Sequence, residues 1–532
     1  GFSGIKWIFF MMLEAVKMAA PIKSWSLLVA SKRVLIKTEH FHNGLSGSSS
    51  SYSLPKLLKC VPSMIKWRRN FGQPAPQTHP HLLKEGEVTP GITKSEYEQR
   101  RNMLVRSAVN SSPVKESVKS HIMIFPSASK TYMTKDIPYP FRQNTEFLYL
   151  CGFQEPDSVL VLECDILNKK INYKSVLFVP GKDPAKELWD GLRSGNKGSL
   201  QITGVSEAYN IDELGNYFNN YCKRHQEYVL WYCFSAPPHR HFHEGIIGDF
   251  LKQSYKKPKE DTRRGVQKLQ LIKSPAEIEL MKTSIEIASQ AFQNVIPFSY
   301  SGINEHHLYA KMDFECRIRN AQILAYPPVV AGGDRANIIH YVNNNQLIKD
   351  GELVLMDAGC EYHGYSSDLT RTWPVSGRFT SSQRALYDAI LHVQELCISM
   401  CTSDFSLDDI YFHMLHLLGI ELQKLGLIPA SLTKDQLIAK ARAFCPHHVG
   451  HYLGMDIHDT ADISRSIKLQ DGMVVTIEPG VYIPKNSMDV PDEFKGIGIR
   501  IEDDILITSS DPVVLSANCP KHGDEIEALF RH

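Results

Sequence analysis

The stretch DGELVLMDAGCEYHGYSSDLTRTWPV, residues 350–375, contains two strand-like segments joined by a short polar turn. The first segment is apolar and ends at Asp357, and the returning segment carries Asp368. A hairpin centred between Tyr362 and His363 places the two aspartates directly opposite each other on one face. Like charges at that separation destabilise a sheet unless a proton or a cation neutralises them. The stretch therefore predicts an antiparallel hairpin that carries an acidic site.

Two further acids lie in strand-like runs later in the chain. Glu478 ends the β-branched run in DGMVVTIEPGVYI, just before a Pro-Gly pair. In GIGIRIEDDILIT, period-two alternation puts Arg500 and Glu502 on one face of a strand. Taken alone, a strand-end glutamate is more often a surface group or an N-cap. The acid run from Glu502 to Asp504 is likewise also typical of an exposed turn.

The segment HHVGHYLGMDIHD, residues 447–459, contains four histidines. His447 and His451 have the i, i+4 spacing of a zinc-binding helix, but His448 stands where that motif has its glutamate, and two glycines disfavour a helix. Four strand-borne carboxylates together with this histidine cluster suggest a metal centre built in three dimensions. Their four negative charges balance two divalent cations, and a neutral histidine adds a nitrogen without adding charge. The combination predicts a dinuclear metal centre.

Length and composition limit the class of protein. A chain of 532 residues predicts two or three domains. Its 43% hydrophobic and 22% charged residues are typical of globular proteins. Eleven cysteines without regular spacing favour a reducing compartment over a disulfide framework. Beyond the basic first 84 residues the chain has an excess of acids, which argues against nucleic-acid binding by the folded part.

Residues 1–71 form a basic leader. The segment MAAPIKSWSLLVASKRVLIK from Met18 contains serine and no acid, and a Ser-rich stretch and KWRRNFGQ follow it. This composition predicts a mitochondrial transit segment and a mitochondrial protein. The alternative is a disordered basic tail on a cytoplasmic protein. The apolar run WIFFMML is too short to span a bilayer, so no membrane association is predicted.

The remaining pattern predicts an α/β (or α+β) protein of two domains. The Pro-rich residues 71–83 mark a junction, and YKKPKEDTRRG at 255–265 is predicted to be an interdomain linker. A capping box at Ser274, Pro275 and Glu277 opens a long helix near the start of the second domain. The predicted domains are residues 72–265 and 266–532. Predicted elements are a helix at 95–109, strands at 121–126, 157–166 and 173–180, and helices at 381–401 and 406–425.

Five motifs resemble those of the pita-bread metallopeptidases, and within them the aminopeptidase P family. They are DAG from Asp357, DLTRT from Asp368, HYLGMDIH from His451, IEPG around Glu478 and RIED from Arg500. The segment YPFRQNTEFLYLCGFQEPDSVLVL, residues 139–162, resembles the amino-terminal domain of the same family. The resemblance implies a smaller α/β N-terminal domain followed by a C-terminal pita-bread metallopeptidase domain.

The resemblance also implies how metals are held. Asp357 and Asp368 would hold one divalent ion, and Asp368, His451, Glu478 and Glu502 would hold the second. Asp368 and Glu502 would then contact both ions. Oxygen-rich donors favour manganese, as does the family.

The implied activity is release of the N-terminal residue from peptides with proline in the second position, by attack of a hydroxide that bridges the two metals. Glu478 would act as general base as well as ligand. His340 and His458 would face the substrate and stabilise the oxyanion, and His447 would be a further active-site histidine.

Other implied residues support these groups. Tyr482 and Arg500 would form a hydrogen-bonded pair, with Tyr482 bordering the substrate and Arg500 assisting catalysis, and Tyr326 would also lie at the substrate. The implied partners are peptide substrates and a second copy in a homodimer. Two alternatives remain open: a prolidase-type Xaa-Pro dipeptidase, and a non-catalytic pita-bread binding protein.

Overall fold

The computed structural model describes residues 71–112, 118–168 and 170–531. The predicted transit segment, residues 1–71, therefore lies almost entirely outside the described residues. Along the described parts of the chain, no helix combines the length and the apolar character that crossing a bilayer requires.

Helices occur throughout the described residues. In chain order they are α1 (Lys94–Ser111), α2 (Thr145–Cys151), α3 (Pro184–Asp190), α4 (Gly195–Thr203), α5 (Leu214–Arg224), α6 (Arg240–Glu244), α7 (Ile246–Gln253), α8 (Arg263–Gln270), α9 (Pro275–Val295), α10 (Glu305–Ile318), α11 (Ser381–Ser399), α12 (Leu407–Lys424), α13 (Lys434–Phe444) and α14 (Gly523–Ala528).

Strands fall into one larger sheet and several short ones. They are β1 (Glu87–Thr89), β2 (Ile92–Thr93), β3 (Ser120–Pro126), β4 (Val159–Leu167), β5 (Lys170–Val179), β6 (Glu207–Asn210), β7 (Val229–Tyr232), β8 (Lys259–Glu260), β9 (Ile323–Leu324), β10 (Val329–Gly332), β11 (Leu353–Ala358), β12 (Cys360–Tyr362), β13 (Tyr365–Ser366), β14 (Leu369–Pro374), β15 (Val474–Ile477), β16 (Gly480–Ile483), β17 (Ile497–Arg500), β18 (Asp503–Leu506) and β19 (Val513–Val514).

The first sheet has the order β6-β5-β4-β3-β7-β8. Only β4 runs antiparallel to its neighbours in this sheet. β3 and β7 are buried along their whole length because helices cover the sheet. The predicted helix at 95–109 and the three predicted strands are confirmed as α1, β3, β4 and β5. The predicted linker at 255–265 is only partly a connection, because β8 within it extends the sheet beside β7.

The second half of the chain packs helices around short antiparallel sheets. α9 begins with the predicted capping box: the Ser274 side chain accepts from the backbone of Glu277, and the Glu277 carboxylate accepts from the backbone of Ser274. The predicted helices at 381–401 and 406–425 are confirmed as α11 and α12. The predicted α/β class is therefore confirmed, and these helices support the small sheets that carry the acids.

Candidate metal centre

Asp357 lies on β11, and Asp368 immediately precedes β14, the strand that pairs with β11. The strands pair so that Asp357 stands opposite Thr370, which puts Asp368 two residues from the opposed position. The predicted direct opposition of the two aspartates is therefore wrong. A shift of two residues preserves the side-chain alternation, so both carboxylates still lie on one face of the sheet.

The turn between these strands explains the shift. Tyr362 pairs with Tyr365, so the loop consists of two residues, His363 and Gly364. Their φ angles are +49° and +85°. Two-residue hairpins favour a turn with positive φ at both central positions, because its twist matches that of the strands. The hairpin is thus centred one residue later than the sequence prediction placed it.

Glu478 and Glu502 interrupt two neighbouring strands. Glu478 and Pro479 separate β15 from β16, and Glu502 lies between β17 and β18. The β15–β18 pair and the β16–β17 pair have the same register, so Glu478 faces Glu502 in the gap between the two pairs. Asp503 and Asp504 are fully buried, and the exposed-turn alternative for this acid run is wrong.

His451 lies on an irregular segment beside β15. The backbone N–H of Thr476 donates to the carbonyl of His451 at 2.9 Å. A Cβ at Gly450 would lie 1.8 Å from the carbonyl oxygen of Thr476, so only glycine allows this approach. His451 Nδ1 is 3.1 Å from the carbonyl oxygen of Tyr452, and Nε2 is 3.4 Å from Asp368 Oδ2. An N–H donated from Nδ1 leaves the Nε2 lone pair facing the carboxylates, as a metal ligand requires.

The candidate ligand atoms lie close enough together to bind one cation. Ligand atoms of Asp368, His451 and Glu502 lie within 4.8 Å of one another, and Glu478 Oε1 is 3.8 Å from His451 Nε2. Burial raises the pKa of Glu478 to about 7 and that of Glu502 well above its usual range. Although burial lowers it, the neighbouring Asp368 and Glu478 carboxylates raise the pKa of His451 to about 9. Such shifts are typical of an acid cluster that requires a counter-charge, which divalent cations can supply.

Tyr326 gives a second indication that the site binds a cation. Its hydroxyl oxygen is 2.5 Å from Asp357 Oδ1 and 2.6 Å from Asp368 Oδ1. A phenol has one proton and donates it to one carboxylate at a time. The other contact needs a protonated carboxyl group or a cation. The residues present therefore fit divalent metal, and Tyr326 borders the two aspartates themselves.

Arg500 begins a chain of hydrogen bonds that leads away from Asp357. Its Nη2 is 2.5 Å from Asp357 Oδ2, and its Nη1 donates to the Tyr482 hydroxyl at 2.8 Å. That hydroxyl is 2.9 Å from His447 Nε2, while His447 Nδ1 is 2.8 Å from the carbonyl oxygen of His448. Burial and the nearby Arg500 charge lower the pKa of His447 to about 4, so its ring is neutral near pH 7.

His340 and His458 are exposed, whereas the ligand candidates are buried or half-buried. The His458 ring centroid is 4.5 Å from that of His451. Desolvation and the His451 charge lower the pKa of His458, and the charge of His340 contributes to the lowered pKa of both His447 and His458. The structure therefore brings all the predicted histidines to one region, with these two accessible to a ligand.

Sequence reasoning missed two residues that hold the ligands. Thr370 Oγ1 donates to Glu502 Oε2 at 2.6 Å and accepts from Arg500 Nε at 3.1 Å. Asp504 Oδ2 accepts from the backbone N–H of Asp368 at 3.1 Å. Strand alternation could have identified Thr370, because it lies two residues after Asp368 and therefore on the same face. No local signal distinguishes Asp504 from a solvated acid.

Two protein-family models and several known proteins match this chain. Residues 279–509 match the model for metallopeptidase family M24, and residues 97–231 match the aminopeptidase P N-terminal domain. Xaa-Pro aminopeptidase 3 of Rattus norvegicus is 47% identical, over 91% of this chain and 96% of its own length. The mitochondrial intermediate cleaving peptidase 55 of Arabidopsis thaliana is 40% identical, over 87% of this chain and 88% of its own.

Solved structures share the fold. Proline aminopeptidase P II from Yersinia pestis is 32% identical, with a TM-score of 0.75 over 82% of this chain and 99% of its own. A zinc-substituted Escherichia coli aminopeptidase P in complex with product is 32% identical, with a TM-score of 0.74 over 82% of this chain and 98% of its own.

Proposed function

Because this chain belongs to the aminopeptidase P family of M24 metallopeptidases, we propose that it is a metal-dependent exopeptidase that releases the N-terminal residue from peptides with proline in the second position. The observation that carries the proposal is the convergence of the buried Asp368, His451 and Glu502 with the half-buried Glu478. The family's N-terminal domain favours this activity over a prolidase. The complete donor set favours catalysis over a non-catalytic binding role.

We assign the metal ligands from the same cluster. One divalent ion would be held by Asp357 and Asp368, and the second by Asp368, His451, Glu478 and Glu502. Mostly oxygen donors favour manganese at both positions. When bound, such an ion pair lowers the pKa of water, so that hydroxide is available near neutral pH.

The protein's own groups handle the proton and the developing charge. Glu478 would accept a proton from the attacking water and return it to the leaving amine. His340 and His458 contact the scissile carbonyl and stabilise the oxyanion. Arg500 and Tyr482 keep His447 oriented as a neutral hydrogen-bonding group beside the substrate.

Preference for proline has a physical basis. The bond before proline is a tertiary amide without an N–H, so a peptidase that depends on that N–H cannot hold it. A site that recognises the pyrrolidine ring instead avoids this requirement. We assign Tyr326, which contacts Asp357, and Tyr482, which contacts Arg500, to the border of the substrate site.

The direct test is to incubate the purified protein and Mn²⁺ with an Xaa-Pro-Xaa tripeptide, an Xaa-Pro dipeptide and an Xaa-Ala-Xaa tripeptide as the matched control. We expect release of the first residue from the proline tripeptide and little from the alanine tripeptide. Cleavage of the dipeptide alone would instead identify a prolidase. Metal binding without cleavage of any of the three would identify a binding protein.

We further propose a mitochondrial location, with a cytoplasmic location as the alternative. The name of the Arabidopsis relative and the basic residues 1–71 support it. Import into isolated mitochondria should shorten the protein within roughly residues 50–75. An uncut, protease-accessible protein would contradict this location. We also retain residues 72–265 and 266–532 as the proposed domains.

We propose a homodimer on the basis of one exposed apolar patch. Leu188 and Trp189 on α3 are 80% and 87% exposed, and Tyr132 and Met133 lie on a loop that the Lys130–Asp190 ion pair joins to α3. Exposed apolar side chains gathered in one place mark an interaction surface. Light scattering should give the mass of a dimer for the wild type and of a monomer for Trp189→Glu. A wild-type monomer would refute the proposal.

A further inference from the structure

Arg142 reaches from the segment before α2 to the half of the chain that carries the metal ligands. Its Nε donates to Glu361 Oε2 at 2.6 Å. Its Nη2 donates to the carbonyl oxygen of Met455 at 2.8 Å and to Asp456 Oδ1 at 3.0 Å. One guanidinium thus engages three acceptors on two separate segments of that half, and its Nη1 also donates to Thr145 Oγ1 at 3.4 Å.

Both segments lead directly to the candidate site. Met455 and Asp456 lie between His451 and His458, in a stretch without regular secondary structure. Glu361 lies on β12, which follows β11 and its Asp357 almost immediately. Arg142 therefore ties the histidine-bearing loop to the hairpin that bears the aspartates.

Neighbouring residues reinforce this connection. Thr145 Oγ1, at the start of α2, donates to Asp456 Oδ1 at 2.7 Å. From the other side, Ser366 on β13 donates its backbone N–H to the carbonyl oxygen of Gly454 at 2.9 Å. Its hydroxyl donates to the carbonyl oxygen of Met455 at 3.2 Å. The loop before His458 is held between the first domain and the hairpin.

We propose that Arg142, assisted by Thr145, is a positioning residue that sets the placement of His458 by holding Asp456. The inference rests on the proposed function in one respect, namely that His458 faces the substrate. The first domain then does more than accompany the catalytic half, because it completes the geometry of the site.

The contacts favour a geometric role over a role in stability. The side chains of Arg142 and Asp456 are 39% and 45% exposed, so this ion pair contributes little to folding, whereas the Glu361 side chain that Arg142 also pairs with is only 11% exposed. A planar guanidinium on several acceptors nevertheless fixes direction well. Because a catalytic group displaced by about 1 Å can slow a reaction by roughly a hundredfold, a small release of this loop is enough to affect turnover.

The test compares Arg142→Ala, Arg142→Lys, Asp456→Asn and the Arg142→Ala/Asp456→Asn double variant, with Arg240→Ala as control. Arg240 is an exposed arginine of the first domain that pairs only with Glu244 among the described residues. For Arg142→Ala we expect kcat on the proline tripeptide to fall about tenfold or more, with KM, metal content and Tm little changed. Arg142→Lys should recover part of the activity. The double variant should be no slower than Arg142→Ala.

Wild-type kcat in Arg142→Ala, or effects that multiply in the double variant, would overturn the proposal. A kcat loss that is explained by a fall in Tm would also overturn the proposal. Thr145→Val is a milder second variant that separates loss of activity from loss of stability. Hydrogen exchange in residues 452–458 is a readout independent of catalysis, and Arg142→Ala should accelerate it. If the wild type cleaves no proline peptide, the proposed function fails, and unchanged exchange in this loop would separately overturn the positioning role.

Discussion

Asp368 is the residue on which both proposed metal positions depend. Asp368→Asn keeps the size of the side chain but removes its charge. Loss of a residue that merely supports a ligand costs about 10- to 100-fold in metal affinity, so loss of a shared ligand should cost at least about a hundredfold in activity. Elemental analysis should show reduced metal content. Asp388→Asn, which alters an exposed carboxylate on α11, is the control. An active Asp368→Asn with full metal content would refute the assignment.

Tyr482 links Arg500 to His447 through one hydroxyl group. Tyr482→Phe removes that group and leaves Arg500 Nη1 and His447 Nε2 without this partner. Activity should fall about 10- to 100-fold, as for other residues that orient active-site groups. Tyr255→Phe alters a tyrosine that is 67% exposed and should have no effect. Steady-state kinetics compares the two variants, and equal activity would show that the hydroxyl link is dispensable.

At the scale of single residues, the chemistry was easier to predict than the contacts. Asp357 and Glu478 were identifiable because acids at the ends of apolar strands are unusual. The pairing partner of Asp357 was not identifiable, because the strand register depends on a turn with positive φ at His363. A non-glycine residue is uncommon in that conformation. Asp504 was not identifiable either, since its burial arises only when distant strands pack together.

At the scale of the elements, the irregular segment beside β15 requires glycine at position 450. In Gly450→Ala, the new methyl group would meet the Thr476 carbonyl oxygen at 1.8 Å, so the segment must move and His451 with it. We expect a lower Tm by calorimetry together with reduced metal content.

Gly215→Ala is the matched control for this substitution. Gly215 lies in helix α5, and its nearest neighbour to an added Cβ is 3.9 Å away. Alanine is favoured over glycine in helices by about 0.5–1 kcal/mol, so this variant should be as stable as the wild type or slightly more so. A Gly450→Ala protein with unchanged Tm and metal content would mean that the segment adapts.

Elements with strong local signals were predicted well. The capping box of α9 and the apolar periodicity of α11 and α12 act within a few residues, and their helices lie where the sequence places them. β8 was missed because two polar residues form a strand there only through pairing with β7. Local propensity does not contain that information.

For the whole molecule, metal removal should create a pH dependence of stability. In the metal-free protein the Asp368 and Glu478 carboxylates outweigh burial and raise the pKa of His451 from 6.5 to about 9. A raised histidine pKa stabilises the folded state fully below pH 6.5, and this contribution is lost as the pH approaches 9. At about 1.4 kcal/mol for each pH unit, the loss is on the order of 3 kcal/mol. His447, with its pKa lowered to about 4, does not oppose this trend above pH 6.5.

Calorimetry of chelator-treated and Mn²⁺-loaded protein between pH 6.5 and 9 measures this effect. The Tm of the metal-free protein should fall across the range. The Tm of the loaded protein should change much less, because a histidine that binds metal through Nε2 is already deprotonated at that nitrogen. A flat Tm for the metal-free protein would contradict the predicted coupling between His451 and the carboxylates.

The metal-ligand candidates lie on segments widely spaced in sequence, from Asp357 to Glu502, and this spacing has a kinetic consequence. No short fragment of the chain contains the complete set, so a nascent or half-folded chain has little affinity for the ions. Long loops must close before the ions are held, and such closures slow folding. Once the loops have closed, metal binding stabilises the native state by mass action. The supply of metal in the compartment would then govern how much of the newly made protein persists, as well as how fast it works.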